Sequence, residues 1–293
     1  MKYILILISI IPFLLNAQDC RRPPKFAAKL GFNPSRSALS STEKHTRGVV
    51  LIELGDAKNE NSNRQKTHQD PSWKTAGHLG AIATDKNGDS YILTNANVNM
   101  LYNPKEDQNN IYKIDTHTGK MSLFVRLPGN GLPNPHNAYG GMSSFYDCDN
   151  HHLIVTSLAG STQFKEIGRI FSVDLATKKV SVLVDNIDAM GIAISNVEGK
   201  RKLYFGKARS PKIFSVALDA QNNLISKPRE CISLDGLGPR GDDKARRIRF
   251  ERNGNIKIYG IDFLYNLSAP SVKHETVYRF KFVGGRWTLV GMG

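Results

Sequence analysis

Residues 77–95 read GHLGAIATDKNGDSYILTN, and residues 109–128 read NNIYKIDTHTGKMSLFVRLP. Apolar residues alternate with polar ones over Ala81–Thr84, Ser90–Thr94, Ile111–Asp115 and Ser122–Leu127, which predicts four short strands. Asp85-Lys-Asn-Gly-Asp89 and Thr116-His-Thr-Gly119 separate them in pairs and suit tight hairpins that need a positive φ. The unit returns at Ala138 (AYGGMSSFYDCDNHHLIVTS, then GRIFSVDLATKKVSVLVDN), at Asp188 (DAMGIAISNVEGKRKLYFGK) and at Lys244 (KARRIRFERNGNIKIYGID). The starts lie 61, 50 and 56 residues apart, with Gly80, Gly141, Gly191 and Arg247 in register. A four-strand unit at such a period predicts an all-β fold, a β-propeller of four-stranded antiparallel blades. The copies occupy residues 77–293, and the strand Gly48–Leu54 begins one more irregular blade. Five blades are expected, or six if the N-terminal arm and the C-terminus share a closing blade.

The first residues, MKYILILISIIPFLLNAQ, have the form of a secretory leader: Lys2, an apolar run from Ile4 to Leu15, and a small residue at Ala17. That run is short for a membrane span of ~20 residues. The expectation is therefore a leader over 1–17, an arm over 18–47 and one propeller domain over 48–293, secreted or periplasmic, monomeric and without a transmembrane segment. An oxidising compartment permits one disulfide among Cys20, Cys148 and Cys231. A bond from Cys20 to either of the others would pin the arm to the ring. The formal net charge of +14 suits anionic partners. The basic residues are spread along the chain, and nucleic acid is not the expected partner.

Links between strands one and two, and between three and four, are short. The long links, 95–109, 158–168, 208–211 and 264–275, project with the inter-blade links from the opposite face. Long loops on a rigid scaffold are where binding sites usually sit. The register then places His78, Tyr139, Asp188 and Lys244 around the mouth of the central funnel, and the ends of the second strands add Asn95, Arg209 and Asp262. His78 has the chemistry of a general base, and Lys244 with Arg246 that of an anion site. The competing expectation is an Arg–Asp network, through Asp242 or Asp243, that locks the last blade. Trp73 reads as packing against the adjoining blade, and His151-His152 as an exposed hairpin pair. Asn266-Leu-Ser268 is a glycosylation pattern. No serine nucleophile elbow or phosphate loop is present in the sequence.

Asp188-Ala-Met-Gly-Ile-Ala-Ile-Ser195, with Arg201–Gly206 and Lys212–Asp219 after it, resembles the strand pattern of the TolB-like propellers. That group includes the senescence-marker/gluconolactonase family and the NHL-repeat proteins. The chain also resembles the secreted yellow/royal-jelly proteins. The lactonase resemblance implies a divalent cation such as calcium at the propeller axis, held by Glu, Asn and Asp, with an Asn directly before the strand-one glycine. Here Leu79, Gly140, Met190 and Arg246 stand at those places. The expected function is thus an exported propeller that binds a small-molecule, protein or glycan ligand on its long-loop face without catalysis and without a cofactor. A metal-dependent lactonase- or esterase-like hydrolase is the alternative.

Overall fold

The computed structural model describes residues 20–41, 47–55, 66–95, 101–129, 137–265 and 274–293. The leader, the stretch 56–65 and the glycosylation pattern at Asn266 lie outside the described residues. Blade 1 is a three-stranded sheet of β1 (Ser37–Ser40), β2 (Val50–Glu53) and β3 (Lys66–His68). Blade 2 holds β4 (Leu79–Thr84), β5 (Ser90–Thr94), β6 (Asn110–Ile114) and β7 (Met121–Arg126). Blade 3 holds β8 (Gly141–Asp147), β9 (His152–Ser157), β10 (Arg169–Asp174) and β11 (Val180–Asp185). Blade 4 holds β12 (Ala189–Ser195), β13 (Lys202–Lys207), β14 (Lys212–Ala217) and β15 (Arg229–Ser233). Blade 5 holds β16 (Lys244–Phe250), β17 (Ile256–Ile261), β18 (Thr276–Val283) and β19 (Arg286–Met292). Every blade is an antiparallel meander, and the five form a β-propeller. Blade 1 departs from the expected four strands: three are present among its described residues, and β1 comes from the stretch read as an arm.

Sequence pattern follows position in the blade. All five residues of β5, Ser-Tyr-Ile-Leu-Thr, are buried. Tyr91 and Leu93 pack into blade 3 beside Leu153, Val155 and Phe171, while Ile92 packs toward blade 1 with Val49, Leu51 and Trp73. A strand buried on both faces reads as a continuous apolar run. The outermost strand β7 is exposed at Ser122, Leu123 and Arg126. Equivalent clusters join blade 3 to blade 4, through Ile154, Ile170, Ile192 and Phe205. Blade 4 meets blade 5 through Tyr204, Ile213, Ile248 and Ile258. Each such side chain contributes about 1.5–3 kcal/mol when fully buried. A ladder hydrogen bond adds only about 1 kcal/mol net. The blade interfaces therefore dominate the stability of the ring.

Hairpins cover the opposite end. Asp85 Oδ1 accepts the amide N–H groups of Asn87 and Asp89 at 2.8 and 3.0 Å. Asp115, Asp174 and Asp219 do the same at the hairpins between third and fourth strands, each accepting two amides. Those local bonds are why Asp opens these turns. His151 takes φ 55° in the β8–β9 hairpin. Neither His151 nor His152 is fully exposed, which corrects the expectation: their rings contact Tyr146 Oη and Ser172 Oγ, each at 2.9 Å.

The arm crosses this hairpin face. Cys20 is disulfide-bonded to Cys148, with Cα atoms 6.1 Å apart. Arg22 N–H donates to Asp85 O, and Phe26 N–H to Thr116 O. Phe26, in the short helix α1 (Lys25–Lys29), meets Trp73 edge-on at 5.8 Å. Trp73 is fully buried, and its indole N–H donates to Gly119 O at 2.7 Å, as expected of a packing residue. It sits in α2 (Pro71–Lys74), capped by Asp70, whose carboxylate also pairs with Lys120 at 2.8 Å. Burial works upward on the Asp70 pKa, but Lys120 and Ser72 outweigh it and bring it down to about 2. At the far end, Val277 and Gly293 exchange both backbone bonds, so the C-terminus pairs within its own blade. Among the described residues no strand pairs blade 1 with blade 5.

The Cys20→Ser variant is expected to lose about 2–4 kcal/mol of unfolding free energy in urea. Cys231→Ser, at a free half-buried thiol, is expected to change much less. Asp70 has a depressed pKa, so its contribution is complete above its unfolded value of about 3.9 and is lost as pH falls toward 2. The Tm gap between wild type and Asp70→Asn should therefore be constant near neutrality and shrink below about pH 4.

Candidate functional site

Every inner strand of blades 2–5 carries one extra residue near the long-loop end. The register slips between Leu79 and Ile82, Gly141 and Ser143, Ala189 and Ile192, and Ala245 and Arg247. Such bulges gather at barrel rims and beside sites because they re-aim a side chain. In blade 5 the inserted residue is Arg246. Its Nη1 donates to Met142 O on blade 3 at 2.9 Å, across the mouth. Burial lowers the pKa of this guanidinium, opposed by the charge of Glu275.

Met142, Leu158, Met190, Ala208 and Phe263 form an apolar floor here, with Tyr139 and Tyr265 packed against it. The rings run as a ladder: Tyr139 to Phe263 at 5.2 Å, Phe263 to Tyr265 at 5.3 Å. Tyr265 then donates its hydroxyl to Asp188. Burial, followed by Asp188, raises the Tyr265 pKa.

Asp188 is fully buried. It accepts from Ser161 Oγ, from Gly168 N–H at 3.0 Å and from Arg209 Nε at 2.8 Å. Arg209 also donates to the carbonyls of Thr162, Gln163 and Lys165. The pair therefore holds the loop between β9 and β10 in place. An unpaired buried carboxylate is costly, and this one is fully partnered. Ser161 and Tyr265 carry no local sequence signal, because they reach Asp188 from 27 and 77 residues away.

The remaining predicted residues lie in other groups. His78 N–H donates to Asn103 Oδ1 at 2.6 Å, and Asn95 N–H to His78 O at 3.0 Å. The His78 ring faces Tyr102 at 6.4 Å, with Arg47 stacked on that tyrosine at 4.1 Å. Burial and then the charge of Arg47 lower the His78 pKa. Lys244 is buried and paired with Asp242. Asp262 is exposed, within the field of Arg240. The expected Arg–Asp lock is present through Asp243, with Arg240 in place of Arg246. Arg240 pairs with the fully buried Asp243, which also accepts from Tyr278 Oη at 2.7 Å.

The residues at the axis do not fit a divalent cation. Calcium takes six to eight oxygen ligands. The places before the strand-one register hold buried Leu79, Gly140, buried Met190 and the Arg246 guanidinium. Among the described residues no three His, Cys, Asp or Glu side chains converge.

No family model and no curated protein matches the chain. Solved structures do. A putative 6-phosphogluconolactonase from Bacteroides fragilis aligns over 88% of this chain and 66% of its own, at 10% identity and a TM-score of 0.52. A nidogen/laminin complex aligns over 84% of this chain and 90% of that one, at 13% identity and a TM-score of 0.49. A protein from Lactobacillus plantarum aligns over 86% and 79%, at 13% identity and a TM-score of 0.48. The first of these likenesses supports the propeller fold. At such identity it transfers no activity.

Replacing Asp188 by Ala leaves Arg209 with only the distant carboxylate of Glu166, at 4.0 Å, and frees the β9–β10 loop. The expected cost is about 3–5 kcal/mol in urea unfolding, the range for breaking a buried pair.

Proposed function

We propose that this protein is an exported, non-catalytic propeller whose long-loop mouth binds a small carboxylate- or phosphate-bearing ligand at Arg246. The observation that carries this reading is a contrast in pairing: three other arginines each meet a buried aspartate. Arg201 meets Asp147, Arg209 meets Asp188, and Arg240 meets Asp243. Arg246 is half-buried at the bulge and donates to a neutral carbonyl, and no carboxylate among the described residues pairs with it. Glu275, whose charge reaches it, is ion-paired with Arg247 at 2.7 Å. A guanidinium held away from water gains most from an anion with two acceptor oxygens. Tyr139 beside it and the apolar floor supply the shape of a small-ligand site.

Export rests on the leader expected over 1–17 and on the Cys20–Cys148 bond, which suits an oxidising compartment. Among the described residues no helix is long and apolar enough to cross a membrane.

Thermal unfolding with gluconate, citrate and inorganic phosphate tests the site. An anion at a hundredfold its Kd adds about 2.7 kcal/mol, or roughly 5–10 °C. That gain should vanish in Arg246→Gln and be reduced in Arg246→Lys. A wild type that no anion stabilises, or a Gln variant that responds as wild type does, overturns the reading.

A further inference from the structure

Blades 2, 3 and 4 each present an apolar row toward the next blade. In blade 2 Tyr91 lies at its centre with Ala83 beside it. In blade 3 Ile154 lies beside Phe145, and in blade 4 Tyr204 lies beside Ala193. The three central residues are 2%, 0% and 0% exposed. Blade 5 buries its inner face on blade 4 in the same manner, through Ile248, Phe250, Ile256, Ile258, Tyr278 and Phe280. Its other face is of a different kind. Lys257 occupies the centre, with Arg249 paired to it on one side and Arg279 on the other. One step along, Arg247 lies opposite Tyr259.

Three cations therefore stand in one row across adjacent strands, about 4.8 Å apart from strand to strand. Like charges directly opposite one another destabilise a sheet. Arg247 and Arg279 have carboxylate partners, Glu275 at 2.7 Å and Glu251 at 3.5 Å. Among the described residues Arg249 and Lys257 pair with none, and Arg21 of the arm adds its charge near Arg249. Arg249 is exposed and Lys257 half-buried. Folding alone gains nothing from such a row, and a departure of this kind from local consistency points to use.

We propose that this face of blade 5 docks an acidic polysaccharide, with carboxylates or sulfates of successive sugars seated on Arg249, Lys257 and Arg279. The argument is charge complementarity over a row of fixed spacing. A linear polymer laid across the strands meets one cation per strand, and arginine grips carboxylate or sulfate through two parallel bonds. A second copy of this chain would bring like charge to the face. Nucleic acid binding without sequence preference draws on aromatic platforms for its bases. Here the Tyr259 ring is already engaged by Arg247 at 3.9 Å and by Lys257 at 5.0 Å. This surface is separate from the mouth at Arg246, and either proposal can fail alone.

The test is binding of the full chain to immobilised polygalacturonate and to heparin at low salt, with wild type, Arg249→Glu/Lys257→Glu and Arg246→Gln. The double variant should lose at least tenfold in affinity while its Tm stays near that of the wild type, since a glutamate at 257 opposes the one at 249 but faces Arg279. Arg246→Gln should bind as wild type does, and wild-type binding should weaken as salt rises. Equal binding by the double variant, or no wild-type binding to either polymer, overturns the proposal. Tighter binding to a single-stranded oligonucleotide or to phosphatidylglycerol vesicles also overturns it. If the double variant fails to fold, Lys257→Gln serves in its place, with a fall of threefold or more expected and an unchanged affinity overturning the proposal.

Discussion

Blades 2, 3 and 4 of this protein each have two apolar faces and can bury them only against other blades. That constraint orders the rest of the structure. It makes β5 buried at every position and leaves β7 exposed at Ser122, Leu123 and Arg126. It also places the largest buried side chains, such as Tyr91, Tyr204 and Tyr278, between sheets. The hydrogen-bonded ladders fix which residues face which neighbour. The free energy of assembly comes from the contact between those faces, because one buried side chain outweighs a ladder bond.

The same constraint sets how loops are held. Hairpins at one end need little support, since Asp85, Asp115, Asp174 and Asp219 each close one on its own amides. The long loops at the other end cannot do this and are tied by buried ionic centres. Asp188 with Arg209 fixes the loop after β9, and Asp243 with Arg240 fixes the approach to β16. These centres are polar islands in a ring of apolar interfaces. Each reaches across long stretches of chain, as Tyr265 does to Asp188.

The fold was legible because its signals are local and repeated. Alternation, Asn-Gly turns and a common period over residues 77–293 predict the strands of blade 2 to within two residues at each end. The three cysteines left Cys20 two partners, Cys148 and Cys231, and nothing in the sequence chose between them. Blade 1 was less legible, since β1 lies 13 residues before β2 with no hairpin signature between them. At the site, register alone brought Tyr139, Asp188, Arg209 and Arg246 to one end of the ring. It did not distinguish a ligand group from a structural one. Lys244 and Arg246 are two residues apart, yet one is spent on Asp242 and the other is unpaired among the described residues, because a bulge intervenes. No sequence pattern announces an extra residue in a strand.

The C-terminus pairs with β18, inside the blade it belongs to, and blade 1 is built from the N-terminal part of the chain alone. Mechanically the propeller is then a row of five plates in which, among the described residues, no strand hooks the last to the first. Parting the first plate from the last breaks no strand-to-strand hydrogen bond among the described residues, whereas parting any other pair exposes an apolar cluster. The disulfide clamps the arm to blade 3 and leaves that join untouched. The last plate therefore ends the row on its cationic face, which is open to solvent at Arg249.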